Sequence, residues 1–327
     1  MRDHQIKVSV LCAAYNHEKY IRQCLEGFVS QKTDFNFEVL INDDASTDNT
    51  AKIIKEYEEK YPEIIKPIYQ KENQHSKKIK INPDILFPHA KGKYIAFCEG
   101  DDYWTDPCKL QKQVDALEKN PDCFMCLCRV DVVEEDDTYS TRNKNRIYTE
   151  PTGIISSARF IKILNPYLYQ LSGYVLNSEQ LGRYYQEIPE FKKLADVGDL
   201  PLLLYFGQLG KVYFINEAMS HYRINSIGSW HDLNQNTEKQ LIHFEKMINM
   251  LHSYDEYTNF QYHQECMNRI LEYQMKIASL KNNYKMLFEK SNKNVIKAAS
   301  VKRRVKLFLY RISPKLAKKI ERMLSRK

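Results

Sequence analysis

Two adjacent carboxylates, Asp101 and Asp102, close a strand-like run, Tyr94-Ile95-Ala96-Phe97-Cys98, in the stretch KGKYIAFCEGDDYWTDP. Paired acids at the rim of a sheet are tolerated in water or opposite a cation. Hard divalent cations take oxygen ligands, and Mg²⁺ or Mn²⁺ is commonly shared between one or two carboxylates and the phosphates of a substrate. The plainer reading is an acidic turn that caps the next helix. Asp106-Pro107 has the form of an N-cap and first helical residue, however, and does that job alone.

The elements that must position these acids lie upstream. Ile6 to Ala14 is a near-continuous apolar run, as expected of a strand buried on both faces, and ends at Tyr15-Asn16. A helical pattern follows from Glu18 to about Gln31, through Tyr20, Ile21, Cys24, Leu25 and Phe28. A second strand, Phe37 to Ile41, ends in Asn42-Asp43-Asp44-Ala45-Ser46-Thr47-Asp48, where Ser46 or Thr47 is expected to cap a helix running to about Tyr61. A third strand spans Ile64 to Tyr69. This alternation predicts βαβ units and a parallel sheet, whose ligands bind beyond the carboxyl ends of the strands. Right-handed crossovers then bring Tyr15-Asn16, Asp43-Asp44 and Asp101-Asp102 to one crevice.

The blocks VSVLCAAYNHEKYI, FEVLINDDASTDNT, AKGKYIAFCEGDDYW and GDLPLLL together resemble family 2 glycosyltransferases, especially bacterial enzymes of surface-polysaccharide assembly. The resemblance runs strongly from residue 6 to about 120, weakens to about 230 and is absent beyond. It implies an α/β, GT-A fold: a Rossmann-like, mainly parallel sheet flanked by helices, here with a C-terminal helical extension. The expected boundaries are 1–232 for the transferase domain, with 233–300 as a helical extension and 301–327 as a basic amphipathic tail read from helical periodicity and charge. It further implies that Ala14 and Tyr15 contact the nucleotide, that Glu38 and Asp44 lie near uracil and ribose, and that Asp101 and Asp102 form the metal motif. Asp102 is the expected direct ligand to Mg²⁺ or Mn²⁺ on the diphosphate. Asp199, in Val197-Gly198-Asp199-Leu200-Pro201, matches the catalytic base, although many relatives carry Glu-Asp where this chain has Gly198-Asp199. Ser220 to His231 is similar to a loop that closes over the donor, with Arg223 expected to pair with diphosphate and His231 as a candidate third metal ligand.

Such chemistry suits these residue types. Glycosyl transfer builds negative charge on a departing diphosphate, which a cation stabilises, and a carboxylate opposite it can take the acceptor's proton. One base without a protein nucleophile gives single displacement and inversion. Each residue also has an ordinary alternative. Asp43 suits an Asx turn, Glu38 a solvated strand-end charge and Asp199 a helix N-cap. Tyr15 suits a rim aromatic, Lys77 and Lys78 a solvated charge run, and His231 a surface histidine.

Composition is that of a large enzyme, with 327 residues, 43% hydrophobic content and 23 Tyr. The N-terminus has no apolar signal-peptide core, and no run reaches the roughly 18 apolar residues of a membrane span. With eight cysteines and no secretory signal, reduced thiols and a cytoplasmic location are expected. Cys123, Cys126 and Cys128 lie on a strand pattern and read as core, with Cys123 facing away from the other two. A helical stretch from about Asn236 to Lys290 carries apolar faces at Leu241, Phe244, Ile248 and Leu251 and at Cys266, Ile270, Tyr273 and Ile277, with a turn near Tyr254 to Tyr257.

Residues 301–327 hold 11 Lys and Arg against one Glu, while 1–300 hold 38 basic and 41 acidic residues. Val301, Val305, Phe308 and Ile312 share one helical stripe. Ser313-Pro314 is expected to start a second helix with Leu316, Ile320, Met323 and Leu324 on its apolar side. This pattern suits peripheral binding to an anionic membrane, or packing on protein. Nucleic acid is disfavoured, since the tail alternates charge with aliphatic and not stacking residues. The resemblance implies as partners a nucleotide-sugar, preferentially a UDP-sugar, and a glycan or lipid-linked acceptor at the inner face of the cytoplasmic membrane. The competing classes are a nucleotidyltransferase, which needs a Gly-rich basic loop where this chain has Tyr15-Asn16-His17-Glu18, and a non-catalytic binder that keeps the donor pocket.

Overall fold

A computed structural model describes residues 5–165, 168–224, 236–289, 292–298 and 301–313. In chain order the elements are β1 (Ile6–Ala14), α1 (Ile21–Val29), β2 (Asn36–Asp43), α2 (Thr50–Lys60), β3 (Ile65–Tyr69), β4 (Tyr94–Phe97), β5 (Tyr103–Trp104), α3 (Lys109–Lys119), β6 (Cys123–Val133), β7 (Gly153–Ile155), α4 (Ser157–Ile163), β8 (Tyr174–Asn177), α5 (Ser178–Glu187), α6 (Glu190–Leu194), α7 (Asp199–Leu209) and β9 (Lys211–Arg223). Further helices among the described residues are α8 (Thr237–Tyr257), α9 (His263–Leu280), α10 (Lys293–Ala298) and α11 (Val301–Ile312). The chain divides into two compact units, Met1–Glu187 with Leu202–Ser229, and Ile188–Pro201 with Trp230–Lys327.

The first unit holds one sheet of nine strands in the order β3-β2-β1-β4-β8-β6-β9-β5, with β7 on β9. Its N-terminal half, β3-β2-β1-β4, is parallel, as the βαβ spacing predicts. Beyond β4 the pairing alternates: β8 is antiparallel to both neighbours and β6 runs parallel to β9. Val8, Val10, Leu11 and Cys12 of β1 are all buried, which explains the unbroken apolar run. Helix α1 buries Ile21, Cys24, Leu25 and Phe28, at the i, i+3, i+4, i+7 spacing of a core-facing stripe.

Two boundaries differ from the sequence reading. Helix α2 starts at Thr50, whose N–H donates to Asp48 Oδ1 at 2.9 Å, so Asp48 does the capping expected of Ser46 or Thr47. Residues 220 to 223, expected as part of a loop, are instead the end of strand β9, because β6 supplies ladder partners across two register shifts. All eight cysteines are free thiols, and only Cys108 is partly open to solvent. Cys123, expected to face away from Cys126 and Cys128, is buried too, because β6 is covered on both faces.

In the second unit α8 buries His243, Met247, Met250, Leu251 and Tyr254. That stripe is rotated from the predicted one, since His243 pairs with Asp196 at 2.8 Å and Phe191 of α6 packs edge-on against Tyr254 and Tyr257. The turn falls a few residues later than predicted, after Tyr257, where Thr258 Oγ1 donates to Tyr254 O. Helix α9 buries Cys266, Ile270, Tyr273 and Ile277 as expected. No helix among the described residues is long and apolar enough to cross a membrane. Residues Leu316 to Leu324 lie outside the described residues.

The lower edge of the sheet is held by a tight approach. Gly92 N–H donates to Ser9 Oγ at 2.8 Å, and a Cβ on Gly92 would stand 2.4 Å from Ser9 N and 2.7 Å from Tyr94 O. Gly92→Ala should therefore cost about 2–3 kcal/mol in urea unfolding. Gly198→Ala, where a Cβ meets nothing within 4 Å, should stay within about 0.5 kcal/mol of the parent.

Candidate functional site

Strands β2, β1 and β4 are adjacent and parallel, so their carboxyl ends share one edge. Hydrogen bonding continues past the strands: Asp44 N–H donates to Ala14 O and Gly100 N–H to Ala13 O, both at 2.9 Å. The turns after β1 and β2 are stitched together. Asn16 N–H donates to Ser46 Oγ (2.9 Å), Thr47 N–H to Asn16 Oδ1 (2.8 Å), and His17 N–H to Thr50 Oγ1 (2.8 Å). Asn16 and Ala45 take left-handed backbones, φ 55° and 60°, to make these turns. The expectation that Tyr15-Asn16, Asp43-Asp44 and Asp101-Asp102 meet along one edge holds. Tyr15 is exposed there, while the Ala14 side chain is buried.

The two aspartates at the end of β2 differ in how far their oxygens are engaged. Asp44 Oδ1 accepts from Gln74 N–H at 2.7 Å and Oδ2 from His75 N–H at 3.0 Å, so both its oxygens cap the short turn at His75–Lys77. Asp43 is buried, Oδ2 meets only Ser46 N–H at 3.4 Å, and Oδ1 has no hydrogen-bond partner among the described residues. Burial pushes its carboxyl above the usual range, with hydrogen bonds from Ser46 opposing and the charges of Asp48 and Asp44 adding. An unpaired oxygen at a strand end is an acceptor waiting for a donor. His17 Nδ1 is likewise buried without a partner among the described residues, next to the Gly100 Cα.

Glu38 is not at this edge. It pairs in register with Ser9, five positions before Asp43, or about 17 Å down the strand. There it is buried, accepting from Ser9 Oγ at 2.7 Å and Lys91 N–H at 3.0 Å. Neither the base or ribose contact nor the solvated strand-end charge survives. Lys77 forms an ion pair with Glu72.

Asp102 is buried, and its Oδ1 accepts from Arg223 N–H at 3.0 Å. Burial, with the charges of Asp101 and Glu99 adding, holds its carboxyl well above the usual carboxylate range. Asp101 is half-buried at the rim. The accessible carboxylate is thus Asp101, and the inner one, expected as the direct ligand, is Asp102. Carboxylate oxygens are the hard donors that suit Mg²⁺ or Mn²⁺. No group of three or more His, Cys, Asp or Glu among the described residues is arranged to hold an ion by itself, so a cation here would complete its shell from substrate phosphate and water.

Arg223, expected on a mobile loop facing diphosphate, is instead the last residue of β9 and is 1% exposed. Its guanidinium donates from Nε to Asp101 O (3.0 Å), from one terminal nitrogen to Glu134 O and Glu135 O (3.3 and 2.9 Å), and from the other to Gln23 Oε1 and Asp137 Oδ1 (both 2.8 Å). It lies over the rings of Tyr20 and Tyr103 at 4.8 and 5.5 Å. With every donor engaged it shapes the Asp101–Asp102 turn from behind. Burial, then the charge of Asp137, pushes the Tyr103 phenol up to about 12. Residues 225–235, with His231 among them, lie outside the described residues.

In the second unit Asp199 opens α7, with Oδ1 accepting from Leu200 N–H at 2.7 Å. Burial raises its carboxyl above the ordinary value, against the Leu200 hydrogen bond and the His243 charge.

Residues 9–173 match the sequence profile described as Glycosyl transferase family 2. The chain belongs to that family. An uncharacterized protein of Mycobacterium tuberculosis is 34% identical over 228 residues, covering 68% of this chain and 60% of that protein, so the match spans about three-fifths of that relative's length. The putative teichuronic acid biosynthesis glycosyltransferase TuaG of Bacillus subtilis is 27% identical over 224 residues, 68% of this chain and 81% of TuaG. Among solved structures, S. aureus TarS 1–349 in complex with UDP-GlcNAc superposes with a TM-score of 0.56 at 16% identity, covering 94% of this chain and 88% of that one. That likeness is one of fold, and this family 2 chain has the GT-A architecture: a curled α/β sheet flanked by helices, with helices at its C-terminal end.

The two aspartates after β2 separate cleanly by mutation. Asp44→Ala strands two backbone N–H groups and should cost about 1–3 kcal/mol. Asp43 behaves oppositely. Its folded pKa lies above the unfolded value of about 3.9, so its charge costs stability once pH rises through the folded pKa. Asp43→Asn should raise the melting temperature at pH 7, with the gain fading below pH ~4, as read by thermal melts across pH.

Proposed function

We propose that this chain is an inverting glycosyltransferase that moves a sugar from a nucleotide-diphosphate donor, a UDP-sugar, to a hydroxyl of a glycan or lipid-linked acceptor. Its setting would be surface-polysaccharide assembly at the inner face of the cytoplasmic membrane. The observation that carries the reading is the strand-end edge itself. Asp43 offers, at the end of β2, a buried oxygen without a hydrogen-bond partner among the described residues, Tyr15 is exposed after β1, and Asp101 stands at the rim after β4, in a member of family 2. The teichuronic acid enzyme among the relatives and the UDP-GlcNAc complex among structures of the same fold support the choice of polymer and donor.

In this reading Asp43 accepts a hydrogen bond from the base or ribose and Tyr15 stacks on it. Asp101, with Asp102 behind it, would hold Mg²⁺ or Mn²⁺. A divalent cation there supplies charge neutralisation for the leaving group. Arg223 fixes the Asp101 backbone so that its carboxylate needs little rearrangement on binding. Asp199 is the base. The acceptor hydroxyl gives its proton to the Asp199 carboxylate as its oxygen bonds to the anomeric carbon, and the bond to diphosphate breaks with the electron pair leaving on the diphosphate. A carboxyl raised by burial is a better proton acceptor than an exposed one. One oxygen on Leu200 N–H is compatible with this role, so the cap and base readings of Asp199 coexist.

Thermal-shift screening against nucleotide-sugars with and without Mn²⁺, followed by nucleotide-release assays on what binds, tests the proposal. Asp199→Asn should lower turnover by about 10²–10⁴ while donor affinity holds. Asp101→Asn should make nucleotide affinity indifferent to Mn²⁺ and to chelators. Full turnover in Asp199→Asn would dismiss the base, and chelator-insensitive binding by the parent would dismiss the metal. Donor binding without turnover would favour a binding protein.

A further inference from the structure

Helix α11 is amphipathic twice over. Leu307 and Tyr310 are buried, and Tyr310 stacks on Tyr284 at a centroid distance of 5.0 Å, so one side is seated on the second unit. Val301, Val305, Phe308 and Ile312 recur at spacings of four, three and four, which places them on one line along a helix. All four are exposed, at 66%, 55%, 59% and 62%. An apolar stripe that water covers along a whole helix marks an interaction surface. Packing among the described residues of the unit therefore does not account for it.

Charge identifies what would cover the stripe. Residues 301–313 contain Lys302, Arg303, Arg304, Lys306 and Arg311 and no acid. Beside the stripe lies a groove of about 410 Å³, to which Phe308 contributes a wall. Lys293, Arg304 and Arg311 supply cations to it, Phe288 and Ile296 apolar surface, and Glu289 its one carboxylate. Arg311 lies 5.6 Å from the centre of the Phe288 ring. Aliphatic and aromatic side chains on a line, flanked by arginine, match the interface between lipid headgroups and acyl chains.

We propose that α11 and this groove dock on an anionic phospholipid bilayer. Val301, Val305, Phe308 and Ile312 enter the acyl boundary, while Lys293, Arg304 and Arg311 meet headgroup phosphates. The surface goes beyond the transfer reaction, and its test needs no donor, so failure of one leaves the other standing.

The full chain is sedimented with vesicles of phosphatidylcholine alone or mixed with phosphatidylglycerol, at low and high salt. The parent should bind the mixed vesicles, lose binding as salt rises and ignore the neutral ones. Val305→Asp with Phe308→Asp, and separately Arg304→Glu with Arg311→Glu, should each weaken binding at least ~10-fold, since roughly one factor of five to ten attends each basic residue at such a surface. Ile147→Ser, an exposed aliphatic of the first unit, should bind as the parent does. The replaced side chains are exposed, and circular dichroism melts report any loss of folding. Equal binding to neutral vesicles, no binding by the parent, or parent-like binding by both double variants would overturn the proposal. So would light scattering that shows a dimer lost in Val305→Asp with Phe308→Asp while vesicle binding persists; a second copy would then be the occupant.

Discussion

A guanidinium that is nearly all buried must have each N–H met, and the sheet edge is arranged around that requirement. Arg223 reaches acceptors on three separate segments: Gln23 on α1, the Asp101 carbonyl after β4, and the carbonyls of Glu134 and Glu135 with the Asp137 carboxylate after β6. Its own backbone N–H bonds Asp102. Removing one partner from such a cluster leaves an uncompensated charge, far costlier than a lost surface ion pair. The acidic turn is thus braced from behind by a buried guanidinium.

A second polar lattice performs a similar task below the site. Lys109 is fully buried, donates to Gln113 Oε1 at 2.7 Å and sits 4.2 Å from the centre of the Trp104 ring. Gln113 donates onward to Gly173 O, and Trp104 Nε1 to Ser172 O. Burial lowers the Lys109 pKa. Phe28 of α1 meets the edge of the same indole at 4.9 Å. The turn that carries Asp101 and Asp102 therefore runs into a β5 strand that is gripped from both sides.

Much of the N-terminal half is legible in sequence because its signals are local. Apolar runs of strand length, a 3.6-residue stripe in α1 and acids at strand ends each point to one structure. What escaped depends on partners far away in the chain. Whether Asp43 or Asp44 keeps a vacant oxygen is settled by where Gln74 and His75 come to rest. Glu38 looks like a strand-end charge until register with Ser9 places it inside, beneath Lys91. Arg223 looks like loop because Asn216 to Arg223 is polar, yet β6 carries that segment as strand through two irregular registers. The burial of Asp102 relative to Asp101 likewise needed β9. A cation surrounded by acceptors from three segments has no sequence period, and so no window of sequence displays it.

The interior is rich in sulfur, and one thiol stands apart. Cys108 is the one cysteine partly open to solvent, at the start of α3, four residues past Trp104 and six past Asp102. The native chain therefore carries a near-unique attachment point for a maleimide dye close to its acidic turn, with an indole at hand as a quencher. Fluorescence changes at the strand edge can be followed without first stripping seven other cysteines from the sequence.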